Sequence, residues 1–170
     1  MAQTIAVVTF YSRGGATERL ATVAAVGAVQ MRAGIRMRRV PDLDPAAALA
    51  RFPEHREELR RMHKEYIAPR EADLVAADVL VVASTADVTP ASPEWRAYFE
   101  LLTRLHGAGQ LRRKVAAVVD NSPSAHAFST MLERFGLSVV PASTGDDELA
   151  RAMALGRAAV TLVQATNASR

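Results

Sequence analysis

Between Tyr11 and Glu18 the chain reads Tyr-Ser-Arg-Gly-Gly-Ala-Thr-Glu, and these residue types can do chemistry on a ligand. Gly14 and Gly15 let the backbone turn tightly and come close to a bound group. Ser12 and Thr17 supply hydroxyls, and Arg13 supplies a positive charge. A helix starting near Thr17 would turn unpaired N–H groups and its positive end toward the same spot. Ser12, Arg13, Gly14, Gly15, Ala16 and Thr17 together therefore suit a phosphate. Spacing excludes two competitors. A P-loop ends in Gly-Lys-Ser/Thr and a dinucleotide fingerprint needs G-x-G-x-x-G, and neither is present here.

Other chemistries lack their residues. The chain has no cysteine, so disulfides and thiolate metal sites are excluded. His55, His63, His106 and His126 are scattered without H-x-x-x-H spacing, and each alone reads as a surface or loop residue. No nucleophile–base pair and no metal-ligand set stands out. The net charge of +3, from 21 basic and 18 acidic residues, favours an anionic ligand. The basic residues alternate with acids along 51–71 and only 5% of residues are aromatic, so nucleic acid is not an expected partner. No apolar run approaches the ~20 residues of a membrane span. The start of the chain lacks a basic segment followed by a long apolar one, so the expected location is cytoplasmic, with no membrane partner.

The loop must be positioned by the elements around it. Ile5–Phe10 is a short apolar, β-branched run and reads as a buried strand. Leu20, Val23, Ala24 and Gly27 then fall on one helix face, and Gly34 is expected to end that helix. Ile35–Val40 reads as a second, more polar strand closed by Pro41. Residues 41–77 form a proline-punctuated excursion with a charged helical piece over Glu54–Tyr66. Its inner face would be Leu59, Met62 and Tyr66, and its charges are expected to be solvated. Asp78–Ala83 is a strand apolar on both faces, as parallel sheets require. Pro93 opens a helix whose stripe of Trp95, Tyr98, Phe99, Leu102 and Leu105 reads as core. Val115–Val119 is a fourth strand, followed by a loop at Asp120–Ser124. A helix with Phe128, Met131, Leu132 and Phe135 inward ends at Gly136. Leu137–Val140 is the fifth strand, and a last helix runs from Asp146 and Asp147 to about Asn167. The expected fold is α/β: one domain over residues 1–170, with a five-stranded parallel sheet and helices on both faces.

Phe-Tyr-Ser-x-x-Gly-x-Thr-Glu, from Phe10 to Glu18, resembles the phosphate loop of flavodoxins and related FMN reductases. Ala83–Lys114 resembles the matching stretch of the tryptophan-repressor-binding-protein (WrbA) type of NAD(P)H:quinone oxidoreductase. Ser92, Arg96, Tyr98, Phe99, Leu105, Gly109, Leu111 and Lys114 fall in corresponding places without a gap. The resemblance implies a flavodoxin-like three-layer sandwich. It also implies FMN held at its phosphate by Ser12–Thr17, with Ser84, Thr85, Ala86, Asp87 and Val88, and Asn121, Ser122, Pro123 and Ser124, beside the ring and ribityl chain. Hydride would pass from NAD(P)H through the flavin to a quinone, in a homodimer or homotetramer.

The chain departs from that pattern in the ring pocket. Residues 84–90 read Ser-Thr-Ala-Asp-Val-Thr-Pro, so Asp87 replaces a basic residue. Phe135 stands where the family has a flavin-contacting histidine, and His106 where it has a tryptophan at the subunit interface. His106, at that interface position, and His126, just past the third ligand loop, are candidate proton donors to a quinone oxygen. The rival expectation is a flavodoxin fold with a degenerate ring pocket, free of flavin, acting as an interaction or regulatory module.

Overall fold

The computed structural model describes residues 3–119 and 123–168. Five strands form one parallel sheet in the order β2-β1-β3-β4-β5. They are β1 (Ile5–Phe10), β2 (Gly34–Arg39), β3 (Val79–Ala83), β4 (Val115–Val118) and β5 (Ser138–Val139). The helices between them are α1 (Ala16–Gln30), α2 (Pro45–Arg51), α3 (Arg56–Glu65), α4 (Glu71–Ala76), α5 (Arg96–Gly107), α6 (Pro123–Arg134) and α7 (Glu148–Ala168). Single 3₁₀ turns at Pro53–His55 and Pro93–Trp95 lead into α3 and α5.

The central strands are apolar on both faces because both faces are covered. Ala6, Val8 and Phe10 of β1 pack with Ala21, Ala24 and Ala28 of α1 and with Leu155, Ala159 and Val160 of α7. Val7, Leu80 and Val82 turn the other way, onto Leu74 of α4, Trp95 and Leu102 at α5, and Phe128 and Leu132 of α6. Phe10 lies beside Arg39 of β2 on one side and Ala83 of β3 on the other. The chain therefore leaves β1, β2 and β3 at one level, and the loops that follow them emerge side by side at the carboxyl edge, where open α/β sheets bind ligands.

Helices α1 and α7 touch backbone to backbone. A Cβ on Gly27 would lie 3.0 Å from the Met153 carbonyl carbon, and one on Gly156 would lie 2.9 Å from that of Ala24. Both are closer than real Cβ atoms come, so the two glycines set the spacing of this helix pair.

Three expectations change in the structure. Helix α1 ends at Gln30, four residues before Gly34. The turn is made by Arg32 at φ 65, with the Arg32 N–H bonded to the Val29 carbonyl and the Ala33 N–H to the Ala28 carbonyl. Gly34 instead opens β2, opposite Ile5. The fifth strand pairs only through Ser138 and Val139, at the sheet edge. Helix α7 begins after Asp147, whose carboxylate accepts from the N–H groups of Leu149 and Ala150 as a cap.

The excursion at 41–77 holds α2, a 3₁₀ turn, α3 and α4. Leu59 and Met62 are fully buried and Tyr66 half-buried, as their spacing indicates. Its charges are not simply solvated. Asp73 accepts from Arg38 Nε and Nη2, both at 2.7 Å, and pairs with Arg36 at 3.3 Å, tying α4 to edge strand β2. The Arg38 hydrogen bonds hold the Asp73 carboxyl below the usual range, outweighing the opposing effect of burial. No described helix is long and apolar enough to cross a membrane, and no described group of three or more His, Asp and Glu residues could hold a metal ion.

Candidate functional site

The loop after β1 makes its turn at Gly15, which takes the left-handed conformation (φ 84) and sits at the N-cap of α1. A left-handed position favours glycine, since a Cβ there crowds the backbone. The Ser12 hydroxyl accepts from the Gly15 N–H at 3.2 Å. No side chain caps α1. Among the described residues, the N–H groups of Arg13, Gly14, Ala16, Thr17 and Glu18 have no acceptor. Successive backbone donors around one turn at a helix start make an anion-binding concavity.

Glycine at 14 has a second reason. A Cβ there would lie 2.7 Å from Cε1 and 2.9 Å from Nδ1 of His55, whose imidazole rests against the loop. The excursion thus reaches the loop directly. Arg13 has its guanidinium 4.5 Å from the Phe52 ring centre, and it pairs with Asp87 at 2.6 Å. Burial pulls the Arg13 pKa down, but its hydrogen bonds to Asp87 and Tyr11 outweigh that and raise it. Burial likewise pushes Asp87 up, and the bond from Arg13 brings it below its ordinary value. The pair bridges the first loop to the loop after β3.

Behind the loop lies a buried polar network. Arg39, the last residue of β2, donates through Nη2 to the Ser12 carbonyl at 2.9 Å and to Asp42 at 2.8 Å. Asp42 also accepts from the Tyr11 hydroxyl at 3.0 Å and meets His63 Nε2 at 2.7 Å. The Arg39 and Asp42 side chains are 3% and 4% exposed, so their charges must be satisfied internally. Burial pushes the Asp42 carboxyl up, and the bonds from His63, Arg39 and Tyr11 together bring it below its ordinary value. Burial, with the Asp42 charge adding to it, raises the Tyr11 hydroxyl to about 12. In the first turn of α1, Glu18 accepts from both Arg61 terminal nitrogens at 2.9 and 2.5 Å and from the Tyr66 hydroxyl at 2.7 Å. These bonds, Arg61's first, hold its carboxyl below the usual range.

The second ligand loop starts at Ser84, buried, with its hydroxyl accepting from the Trp95 indole N–H at 3.1 Å. Thr85 is half-buried, Ala86 and Asp87 are exposed, and Val88 turns into the core. In the third loop, Asn121 and Ser122 lie outside the described residues. Pro123 is the first residue of α6, and Ser124 is buried in its first turn.

The two candidate histidines are split. His126 is exposed in the first turn of α6, at the ligand end of the sheet. His106 is in the last turn of α5, with Nδ1 2.9 Å from the Phe135 carbonyl, at the opposite end where β4 and β5 begin. Within one chain the fold does not bring His106 to the loops at 12–17 and 84–88.

The residues that sequence reasoning missed are Tyr11, Arg39, Asp42, Phe52, His55, His63, Arg61 and Tyr66. For Phe52, His55, Arg61, His63 and Tyr66 the one available signal was the charge density of 51–66, and for Tyr11, Arg39 and Asp42 there was none.

No family profile and no curated protein matches the chain. Solved structures do. A flavodoxin, WrbA-like protein from Agrobacterium tumefaciens superposes with a TM-score of 0.60 at 13% identity, over 96% of this chain and 99% of that one. The two-electron reduced flavodoxin of Megasphaera elsdenii gives 0.58 at 15%, over 93% and 99%. A diflavin flavoprotein from Nostoc sp. gives 0.58 at 14%, over 99% of each chain. The chain has the flavodoxin-like α/β fold.

Proposed function

We propose that this chain is an FMN-dependent flavoprotein that passes two electrons from NAD(P)H to a quinone. The observation carrying the reading is the first loop: backbone N–H groups without acceptors around left-handed Gly15, at the uncapped start of α1. That arrangement fits the phosphoryl end of FMN. Ser12 and Thr17 belong to the same turn, and the Nε–H of Arg39, whose guanidinium holds the Ser12 carbonyl, is a buried donor with no acceptor. The ring end would lie beside the loop at Ser84–Val88, which carries the Asp87 carboxylate paired with Arg13.

FMN held by these loops would supply the two-electron chemistry between the nicotinamide and the quinone. The chain's own residues bind and orient. Gly15 and its neighbours hold the phosphate, and Arg13 stays tethered to Asp87. The exposed imidazole of His126 supplies a hydrogen bond or proton to a quinone oxygen. His106 can act only on a second copy's ligand, in a homodimer or homotetramer.

Protein loaded with FMN should oxidise NADH or NADPH with saturation in both the nucleotide and a soluble benzoquinone. Turnover no faster than that of the same concentration of free FMN would end the oxidoreductase reading. One observation favours the flavin-free interaction module instead. The bridge from Arg13 to Asp87 already joins the two loops between which a ring would enter.

A further inference from the structure

We propose that Arg39 and Asp42 are positioning residues that set which way the first loop's Ser12–Arg13 peptide faces. The proposal rests on the anion-binding reading of that loop. The described peptide bonds are trans, so the Ser12 carbonyl and the Arg13 N–H point in opposite directions from one rigid plane. Arg39 holds that carbonyl at 2.9 Å on the side of β2. The Arg13 N–H must then face away from Arg39. If this peptide turned over, a carbonyl oxygen would replace a donor at the loop, and its partial negative charge would oppose any anion there.

A free arginine would hold such a carbonyl only loosely. This one is fixed. The same Nη2 is bound to Asp42, and Asp42 is held in turn by Tyr11 at the end of β1 and by His63 of α3. The network therefore ties the Ser12 carbonyl to the end of β1, the end of β2 and α3 at once. An ion pair this deep is costly to desolvate and contributes little net stability, whereas it fixes geometry well. Arg39 is also not interchangeable with lysine. Both bonds leave the terminal Nη2, at the far end of the guanidinium, and a lysine ammonium on a shorter reach keeps the charge but gives up the Ser12 carbonyl, Asp42 or both.

Arg39→Lys and Tyr11→Phe are the variants of choice, because each leaves Asp42 at least one charged partner. Two readouts are needed. In flavin titrations, Arg39→Lys should weaken FMN about tenfold or more while leaving riboflavin unchanged. Thermal melting should show the variant still folded. Where the parent protein prefers FMN to riboflavin, a loss shared equally by the two, or no loss, overturns the proposal. The second readout needs no flavin. In ¹⁵N–¹H spectra of the unliganded protein, Arg39→Lys should shift the Arg13 and Gly14 amides strongly, and Tyr11→Phe should shift them less, with α7 unmoved. Unchanged loop amides overturn the proposal whether or not FMN binds. Shifted amides in a protein that shows no preference for FMN retain the positioning role and remove only the flavin reading.

Discussion

Gly156→Ala is expected to lower the melting temperature by about 10 °C, corresponding to about 3 kcal/mol. Helix propensity argues the reverse, since alanine is better than glycine inside a helix by roughly 1 kcal/mol. The sign is set by contact. The new Cβ would meet the Ala24 carbonyl group of α1, with its carbon at 2.9 Å, and neither side can yield because both are helix backbone. The two helices would have to separate along the face where Gly27 and Gly156 now let them touch. Because Gly15 is the N-cap of α1, this movement would also disturb the loop. Gly107→Ala is the control. Its Cβ would have nothing within 4 Å, and the site lies in the last turn of α5. It should be neutral or slightly stabilising. A Gly156→Ala protein as stable as the Gly107→Ala protein would show that α1 and α7 are not in backbone contact.

Trp95→Ala should cost about 3–5 kcal/mol in urea unfolding. The indole is fully buried and stacks edge-on with Tyr98 and Phe128 at 5.3 and 5.0 Å, with Phe99 at 6.1 Å. Truncation leaves a cavity among rings that cannot close over it. It also frees the Ser84 hydroxyl at the start of the second ligand loop. Trp95→Phe divides the two effects: it loses the hydrogen bond and only part of the packing, for about 2 kcal/mol. Trp95 is the sole tryptophan, so the unfolding of both variants must be followed by circular dichroism. Equal costs for the two would mean that the Ser84 bond, and not the packing, carries the effect.

The architecture was legible because its signals are local. Short apolar, valine-rich runs at Val79–Ala83 and Val115–Val118 read as strands covered on both faces, and the stripe from Trp95 to Leu105 has a helix period. The tight turn after β1 was legible in the Gly-Gly pair as well, and Gly15 takes the left-handed conformation there. Less visible were features that depend on partners distant in sequence. The contact from Arg39 to Ser12 spans 27 positions, and that from Tyr66 to Glu18 spans 48. Nothing in the local pattern of 51–66 distinguishes an arginine that faces water from one that holds Glu18. Gly34 misled for a related reason. A left-handed turn favours glycine but does not require it, and Arg32 makes this one. His106 shows the remaining limit: its place beside Phe135 follows from topology, which puts the end of α5 at the far edge of the sheet from the loops.

The central claim is that Ser12–Thr17 holds the phosphate of a flavin. It is tested most directly by titrating the protein with FMN and with riboflavin, followed by quenching of flavin fluorescence. The two ligands share the ring and differ only in the phosphate. FMN should bind about a hundredfold more tightly than riboflavin, because charge-assisted bonds to the loop form with FMN alone. Equal affinities, or no binding of either, would contradict the account.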